Sequence, residues 1–346
     1  MSRPRSFGWK RPAAYILIAV LSLLLVLLSF LYWASAPAHS LRGYSRIYSY
    51  GQAGSAFSDT LSVMTWNIGW LSGMSNNKAV ERPCTLFENN LHSAIAVIRE
   101  LYPDVILFQE MDFGSHRSCR MMQLDSLARA CGYPYAAMAV NWDDRYVPFP
   151  YWPPKVHFGS VYSGLAVLSR YPILGNGRIL HRATLPRPFY WKAFYLQRLF
   201  QKLEIQWGSD TFGLINVHLE AYDRNTREKQ ALELLDYVSS GSKQRPGLIA
   251  GDFNAFWNDS GTQTAEKTVK AFLESGYRTS CDEGDSSSAS FTFSSEEPAF
   301  RIDYLLSDSA RLRVIDCRVV PEMGTVSDHL PVMARFVIKR KWETTP

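Results

Sequence analysis

Cysteine is scarce, and no two of Cys84, Cys119, Cys131, Cys281 and Cys317 stand at CxxC spacing. That excludes the paired thiolates of a structural zinc site. An odd count outside the cytoplasm leaves at least one thiol free. Cys84 with Cys119 is a candidate bridge between two loops, although sequence alone does not fix pairing. Internal repeats are missing too, which excludes a solenoid. With 47% hydrophobic and 20% charged residues, the chain is not disordered. Excess charge is nearly absent where a nucleic-acid binder would need it. Lys+Arg is 37 against Asp+Glu 32, but Arg3, Arg5, Lys10 and Arg11 all precede residue 12, leaving 33 basic residues against 32 acidic ones. The remainder of the chain lacks the broad basic face of a tight duplex binder, so only a local groove could serve.

Charge, Gly and Pro are all missing from the 22 residues Ala13 to Ala34, AAYILIAVLSLLLVLLSFLYWA. As a helix this stretch spans ~33 Å, enough for a hydrocarbon core of about 30 Å. Tyr32 and Trp33 fit the aromatic belt, and the basic cluster before it belongs on the cytoplasmic side. The expectation is a basic tail over 1–11, a signal anchor over 12–34 and an extracytoplasmic remainder. A buried core helix would carry more polar residues than Ser22 and Ser29. A cleaved signal peptide is the competing reading, with Ala36-Pro37-Ala38 at cleavage-like spacing, but the apolar run exceeds the usual h-region of about 7–15 residues.

Residues 35–59, rich in Ser, Gly, Ala and Tyr, read as a linker. A flexible coil of about 25 residues spans ~25–30 Å. From residue 60 strand and helix signals alternate. Strands are expected at 61–66, 104–108, 163–168, 212–217, 247–250, 302–306, 311–320 and 332–338. Helices are expected at 86–101, 121–131, 227–239 (with Leu232, Leu235 and Val238 on one face) and 264–275. The Gly-Asp-Ser-Ser-Ser run near residue 284 reads as a polar loop. Short connections allow antiparallel pairing, so two mixed sheets packed face to face with helices outside satisfy the pattern. One domain over 60–340 follows.

Several strands end in polar residues that a core does not need: Trp66-Asn67, Phe108-Gln109-Glu110, Asn216-Val217-His218-Leu219-Glu220, Ala250-Gly251-Asp252-Phe253-Asn254, Arg301-Ile302-Asp303-Tyr304 and Val326-Ser327-Asp328-His329. Carboxylates, amides and imidazoles in this combination suit a hard cation and a phosphoryl oxygen. Asp104 reads instead as a strand-start cap, and Asn216 as a core-edge residue. Glu220 reads as a backbone partner near His218. His39, His92, His116 and His181 read as surface or loop residues.

This ordered set resembles the endonuclease/exonuclease/phosphatase superfamily, which includes DNase I, exonuclease III-type enzymes, neutral sphingomyelinases, inositol phosphatases and deadenylases. The resemblance covers about residues 60–338. It implies a four-layer α/β sandwich (DNase I-like) and a phosphoesterase site dependent on Mg²⁺ or Mn²⁺. It assigns Glu110, Asn67 and Asp328 to the metal, and Asn67 and Tyr162, in Tyr162-Ser163-Gly164, to the substrate phosphate. His218, Asp252, Asn254, Asp303 and His329 become the catalytic set, with Asp303 holding His329. Departures narrow the branch. Exonuclease III-type enzymes carry Tyr-x-Pro-Asn where this chain has Asn216-Val217-His218-Leu219. Inositol phosphatases carry Cys-Asp-Arg where Ile302-Asp303-Tyr304 stands. His218 to Asp223 with Arg227 and Gln230 resembles a bacterial subgroup, here membrane-anchored.

Two stretches are placed to set specificity. Residues 142–158 form a Pro- and aromatic-rich loop, and 187–202 mix Arg187, Lys192, Arg198 and Lys202 with six aromatics. Such a mixture stacks bases, lies at a lipid interface, or simply covers a sheet. The expected activity is metal-dependent phosphodiester hydrolysis outside the cytoplasm, nuclease-like first, with a phospholipid or sphingomyelin phosphodiesterase as the alternative. A non-catalytic scaffold on the same fold is the third reading.

Overall fold

The computed structural model describes residues 10–51, 59–208, 210–240, 247–256, 266–281 and 290–339. The polar run near residue 284, Thr264 and most of the basic tail lie outside them. The apolar stretch is one helix, α1 (Lys10–Ala34). Its residues from Pro12 onward form the one helix among those described that is long and apolar enough to cross a membrane, and its most apolar stretch is not buried within the chain.

The segment read as linker is not linker throughout. Ser45–Ser49 forms β1, an edge strand paired antiparallel with β4 (Tyr135–Val147). It was missed because only one of its two faces touches the domain, so Ser and Tyr suffice. Between them come β2 (Thr60–Asn67), α2 (Cys84–Leu101), β3 (Val105–Asp112) and α3 (Gln123–Cys131). Tyr102 (φ 39°) stops α2 before Pro103, and Gly132 (φ 72°) stops α3. β4 runs into the expected 142–158 loop, so only residues beyond Val147 are loop. Then follow β5 (Gly159–Ser169), β6 (Ile173–Leu180), the single turn α4 (Phe189–Lys192), β7 (Leu199–Trp207) and β8 (Asp210–His218). The chain continues through α5 (Arg224–Ser240), β9 (Leu248–Asp252), α6 (Thr268–Glu274), β10 (Tyr277–Thr279), β11 (Asp303–Asp308), β12 (Leu312–Val319) and β13 (Val332–Ile338).

The strands form two mixed sheets, ordered β1-β4-β5-β3-β2-β13-β12 and β10-β11-β9-β8-β7-β6. Period-two alternation builds the layers. Val63, Val105 and Leu107 face Leu214, Leu248 and Leu305 of the other sheet. Their neighbours Met64, Trp66, Ile106 and Phe108 face α2 and α3. Ile215, Val217 and Ile249 pack under α5 and α6. The result is a helix–sheet–sheet–helix sandwich. The packing face of α5 is not the expected one. Ala231, Leu234 and Val238 are buried, while Leu232 is exposed. Polar Gln230 and Arg227 complete that buried face.

Asn216 is buried between the sheets, donating to Phe108 O at 3.0 Å and Ala166 O at 3.2 Å and accepting from Gln109 Nε2 at 2.7 Å. These bonds fix the sheets against each other just below the strand ends that carry Glu110 and His218. Asp104 accepts from Ser62 N at 2.8 Å and from Arg170 Nη1 at 2.8 Å, tying strand starts at the opposite end. Disulfides join Cys84 to Cys119 and Cys281 to Cys317, and Cys131 is free and buried. His181 lies in the loop after β6, but it is buried there, with Nδ1 3.3 Å from Glu233.

Candidate active site

Strand register assembles the site. His218 ends β8 opposite Asp252 at the end of β9, and Asp303 begins antiparallel β11 opposite the same Asp252. In the other sheet Asn67 ends β2 opposite Gln109 of β3, one residue before Glu110. Gly251 lets Asp252 come so close: its φ is 146°, and a Cβ there would meet Val217 O at 2.0 Å. Glu110 (φ 53°) and Asn254 (φ 51°) both hold left-handed backbone, a strained conformation for non-glycine residues that clusters at functional sites.

Asn67 links the sheets across the site. Its Nδ2 donates to Asp252 Oδ2 at 2.9 Å and approaches Glu110 Oε1 at 3.4 Å. Asp252 Oδ1 accepts the Asn254 N–H at 2.8 Å. His329 Nδ1 lies 2.9 Å from Asp303 Oδ2, and its Nε2 is 3.9 Å from Asp252 Oδ2. His218 Nε2 is 3.5 Å from Asp252 Oδ2 and 3.8 Å from Glu110 Oε1. The Ser327 hydroxyl donates to Asn67 O at 2.7 Å and so locks the Asp328–His329 turn onto the end of β2.

Electrostatics divide the two imidazoles. Burial resists charge on His329, but Asp303 and Asp252 outweigh it and hold the ring protonated well above the usual histidine range. Burial, with Arg198 and His329 nearby, keeps His218 neutral. Burial pushes Asp252 up to about 7, helped by Asp303 and opposed by His329.

These groups open into a cleft of about 640 Å³, lined on its polar side by Glu110, His218, Asp252, Asn254, Asp328 and His329. Asn67 and Asp303 sit directly behind that lining. Tyr162 is not brought there. It stacks on His39 with ring centroids 3.9 Å apart, and its hydroxyl approaches Gly43 O at 3.4 Å. Ser163, its neighbour in the pleat, faces the cleft instead.

Other residues reach the cleft without having been expected. Asn76 Nδ2 is 3.3 Å from Glu110 Oε2 and 3.3 Å from Asp328 Oδ2. Its amide is oriented by Trp70 Nε1, which donates to Oδ1 at 3.0 Å. Buried Arg198 lies 3.6 Å from Glu220 and donates to the Tyr195 hydroxyl at 3.1 Å, and that hydroxyl donates to Glu220 at 2.8 Å. Arg198 at least carried a signal, as a cation in the 187–202 stretch. Asn76 carried none.

Among the described residues, ligand-type atoms of Asp252, Asp303 and His329 lie within 4.8 Å of one another. They are not the set expected to take a metal, and His329 Nδ1 is already committed to Asp303. Of the residues expected at the metal, Glu110 and Asp328 fit a hard cation better, whereas the Asn67 Oδ1 already accepts the Gly69 N–H at 3.0 Å. Among the described residues neither Glu110 nor Asp328 forms an ion pair with Lys or Arg, yet both carboxylates converge on one amide.

The family model for the endonuclease/exonuclease/phosphatase family matches residues 64–329. The chain belongs to that family. Its members are generally divalent-metal-dependent phosphoester hydrolases, and this chain has their fold. It is similar to the endonuclease/exonuclease/phosphatase from Beutenbergia cavernae (23% identity, 81% of this chain and 72% of that one, TM-score 0.58). It is also similar to the human Nocturnin catalytic domain with bound sulfate (17%, 87% and 100%, TM-score 0.55). A third similar structure is D. rerio TDP2 with a single-strand DNA product (16%, 81% and 99%, TM-score 0.55). None of the curated proteins matches the sequence.

Proposed function

We propose that this chain is a metal-dependent phosphodiesterase that works outside the cytoplasm from a membrane anchor. The observation that carries the activity is the meeting of Asp252 and His329 on the cleft floor with Asp303 just behind them, beside Glu110 and Asp328, which form no ion pair with Lys or Arg among the described residues. Glu110, Asp328 and Asn67 would hold the metal, Mg²⁺ or Mn²⁺. When bound, it polarises a phosphoryl oxygen and offsets the charge that builds there.

The chain's own residues supply the rest. Asp252, titrating near neutrality, accepts a proton from the attacking water. As the water oxygen bonds to phosphorus, the opposite ester P–O bond breaks; the leaving oxygen takes its proton from solvent, and Asp252 later returns the water proton to solvent. His329, kept cationic by Asp303, stabilises the pentacovalent charge through Nε2. Asn254 sits where it can donate to a non-bridging oxygen. His218, neutral and buried, adds a further hydrogen bond at the same place.

The anchor reading rests on α1 and the basic residues before it. Two disulfides support an oxidising compartment. The test of activity is hydrolysis of bis(p-nitrophenyl) phosphate by the full-length protein in detergent, with and without Mg²⁺. Wild type turns over with the metal, while Glu110→Ala and His329→Ala lose it. Equal rates in all three overturn the assignment. Protease digestion of intact cells tests topology, and a protected catalytic domain overturns the outside placement.

A further inference from the structure

The helix α1 does not hang free of the domain. Just past its end, Ala36 O accepts from Arg145 N at 3.2 Å. Ala38 N and His39 N donate to the Asp143 carboxylate at 3.1 and 2.9 Å. Inside the helix, the Phe30 ring packs edge-on against Tyr146, centroids 6.0 Å apart. Phe30 lies four residues before Ala34, about 6 Å of helix rise from the end of the apolar run. Tyr146 is therefore held at the depth of the last turn of α1.

Tyr146 carries the adjacent loop with it. Its hydroxyl is 2.7 Å from His157 Nδ1, and His157 Nε2 is 3.0 Å from Tyr151 O. The loop between Val147 and Gly159 is thus strapped to the point where α1 meets the domain. On that loop Tyr151 and Trp152 are exposed, and Phe149, Tyr151 and Phe158 line the cleft. At the same cleft, α4 exposes Phe189 and Tyr190 beside cleft-lining Trp191. Exposed aromatics in such a patch mark an interaction surface, and Trp and Tyr favour the head-group level of a bilayer.

We propose that this rim is a membrane-interface docking surface, seated on the bilayer that α1 spans, and that the cleft takes a phosphodiester carried on a lipid of that bilayer. The substrate part of this inference rests on the phosphodiesterase reading. The cleft suits an amphiphile, with Phe149, Phe158, Leu185, Trp191 and Phe194 on its apolar walls and the carboxylate–imidazole floor below. A nucleic-acid strand would need a row of cations. Among the described lining residues the only Lys or Arg are three arginines; Arg117 is bound to Asp112 at 2.9 Å, and Arg198 is buried 3.6 Å from Glu220. The lipid reading therefore takes precedence over the nuclease-like one.

The test uses the full chain reconstituted in vesicles of phosphatidylcholine and phosphatidylglycerol. Trp152 and Tyr190 do not line the cleft, so Trp152→Ser/Tyr190→Ser keeps wild-type turnover of bis(p-nitrophenyl) phosphate. Hydrolysis of vesicle phospholipid falls at least about tenfold in that variant. Wild-type lipid turnover in the variant overturns the docking surface. Cleavage of single-stranded DNA or RNA with no lipid hydrolysis overturns the substrate class. Separately, brominated phosphatidylcholine quenches more tryptophan fluorescence in wild type than in Trp152→Phe; equal quenching overturns the docking surface. That optical readout needs no activity, so a protein inert towards bis(p-nitrophenyl) phosphate sinks the phosphodiesterase reading while quenching still decides the surface.

Discussion

His329 Nδ1 lies 2.9 Å from Asp303 Oδ2, with the other Asp303 oxygen buried and without a hydrogen-bond partner among the described residues. A buried carboxylate committed to one imidazole fixes its orientation and favours its charged form. Asp303→Asn keeps the shape but removes the charge. It is expected to lower kcat for bis(p-nitrophenyl) phosphate roughly 10²–10³-fold with little change in KM. An unchanged kcat would detach Asp303 from the chemistry.

Asn76 offers a second, metal-side test. Its amide stands between Glu110 and Asp328 and is turned by Trp70. Without it the two carboxylates lose the donor that aligns them. Partners of ligating groups typically contribute 10–100-fold to affinity, so Asn76→Ala is expected to weaken Mn²⁺ binding by about tenfold. Calorimetric titration of the full chain measures this without turnover. Identical isotherms for wild type and variant would place the cation elsewhere.

The pH profile follows from Asp252. Burial raises its carboxyl to about 7. Only the ionised form accepts the water proton, so kcat/KM rises with pH and levels off above about 7. Asp252→Asn removes that limb together with most of the activity. A wild-type profile already flat from pH 5 upward would assign the base to another group.

The sequence showed the strand ends well because each places a polar group where a plain strand would stop. Asn67, Glu110, His218, Asp252, Asp303 and His329 all stand at such ends, and the two sheets bring them together. Tyr162 failed on parity: successive side chains alternate across a sheet, so a one-residue difference sends Ser163 to the cleft and Tyr162 to the other face. Leu232 failed similarly, because α5 buries Gln230 and Arg227 and hides its true face behind polar residues. Asn76 was illegible because no periodic element delivers it. It arrives through the irregular turn after β2, where Trp70 (φ 45°) and Leu71 (φ 61°) hold left-handed backbone. Strands β6 and β7 were hidden by polar residues such as Asn176 and Gln201, whose side chains bond each other and Met138 O only once the sheets pair.

Asp144, in β4 close to where α1 meets the domain, predicts a pH-dependent stability. Burial raises its carboxyl from 3.8 to about 7, opposed by the Trp142 Nε1–H donated at 2.8 Å and helped by Asp143. The folded chain holds this proton more tightly than the unfolded chain. Stability from this group is therefore present below about pH 4 and is lost as pH rises to about 7, by at most ~4 kcal/mol. Asp144→Asn keeps an acceptor for Trp142 and never ionises. At pH 8 the variant is expected to melt several degrees above wild type, with the two converging near pH 4.5. Thermal unfolding of the full chain in detergent, followed by tryptophan fluorescence, measures both. Equal melting temperatures at pH 8 would mean that Asp144 ionises in the folded chain without cost.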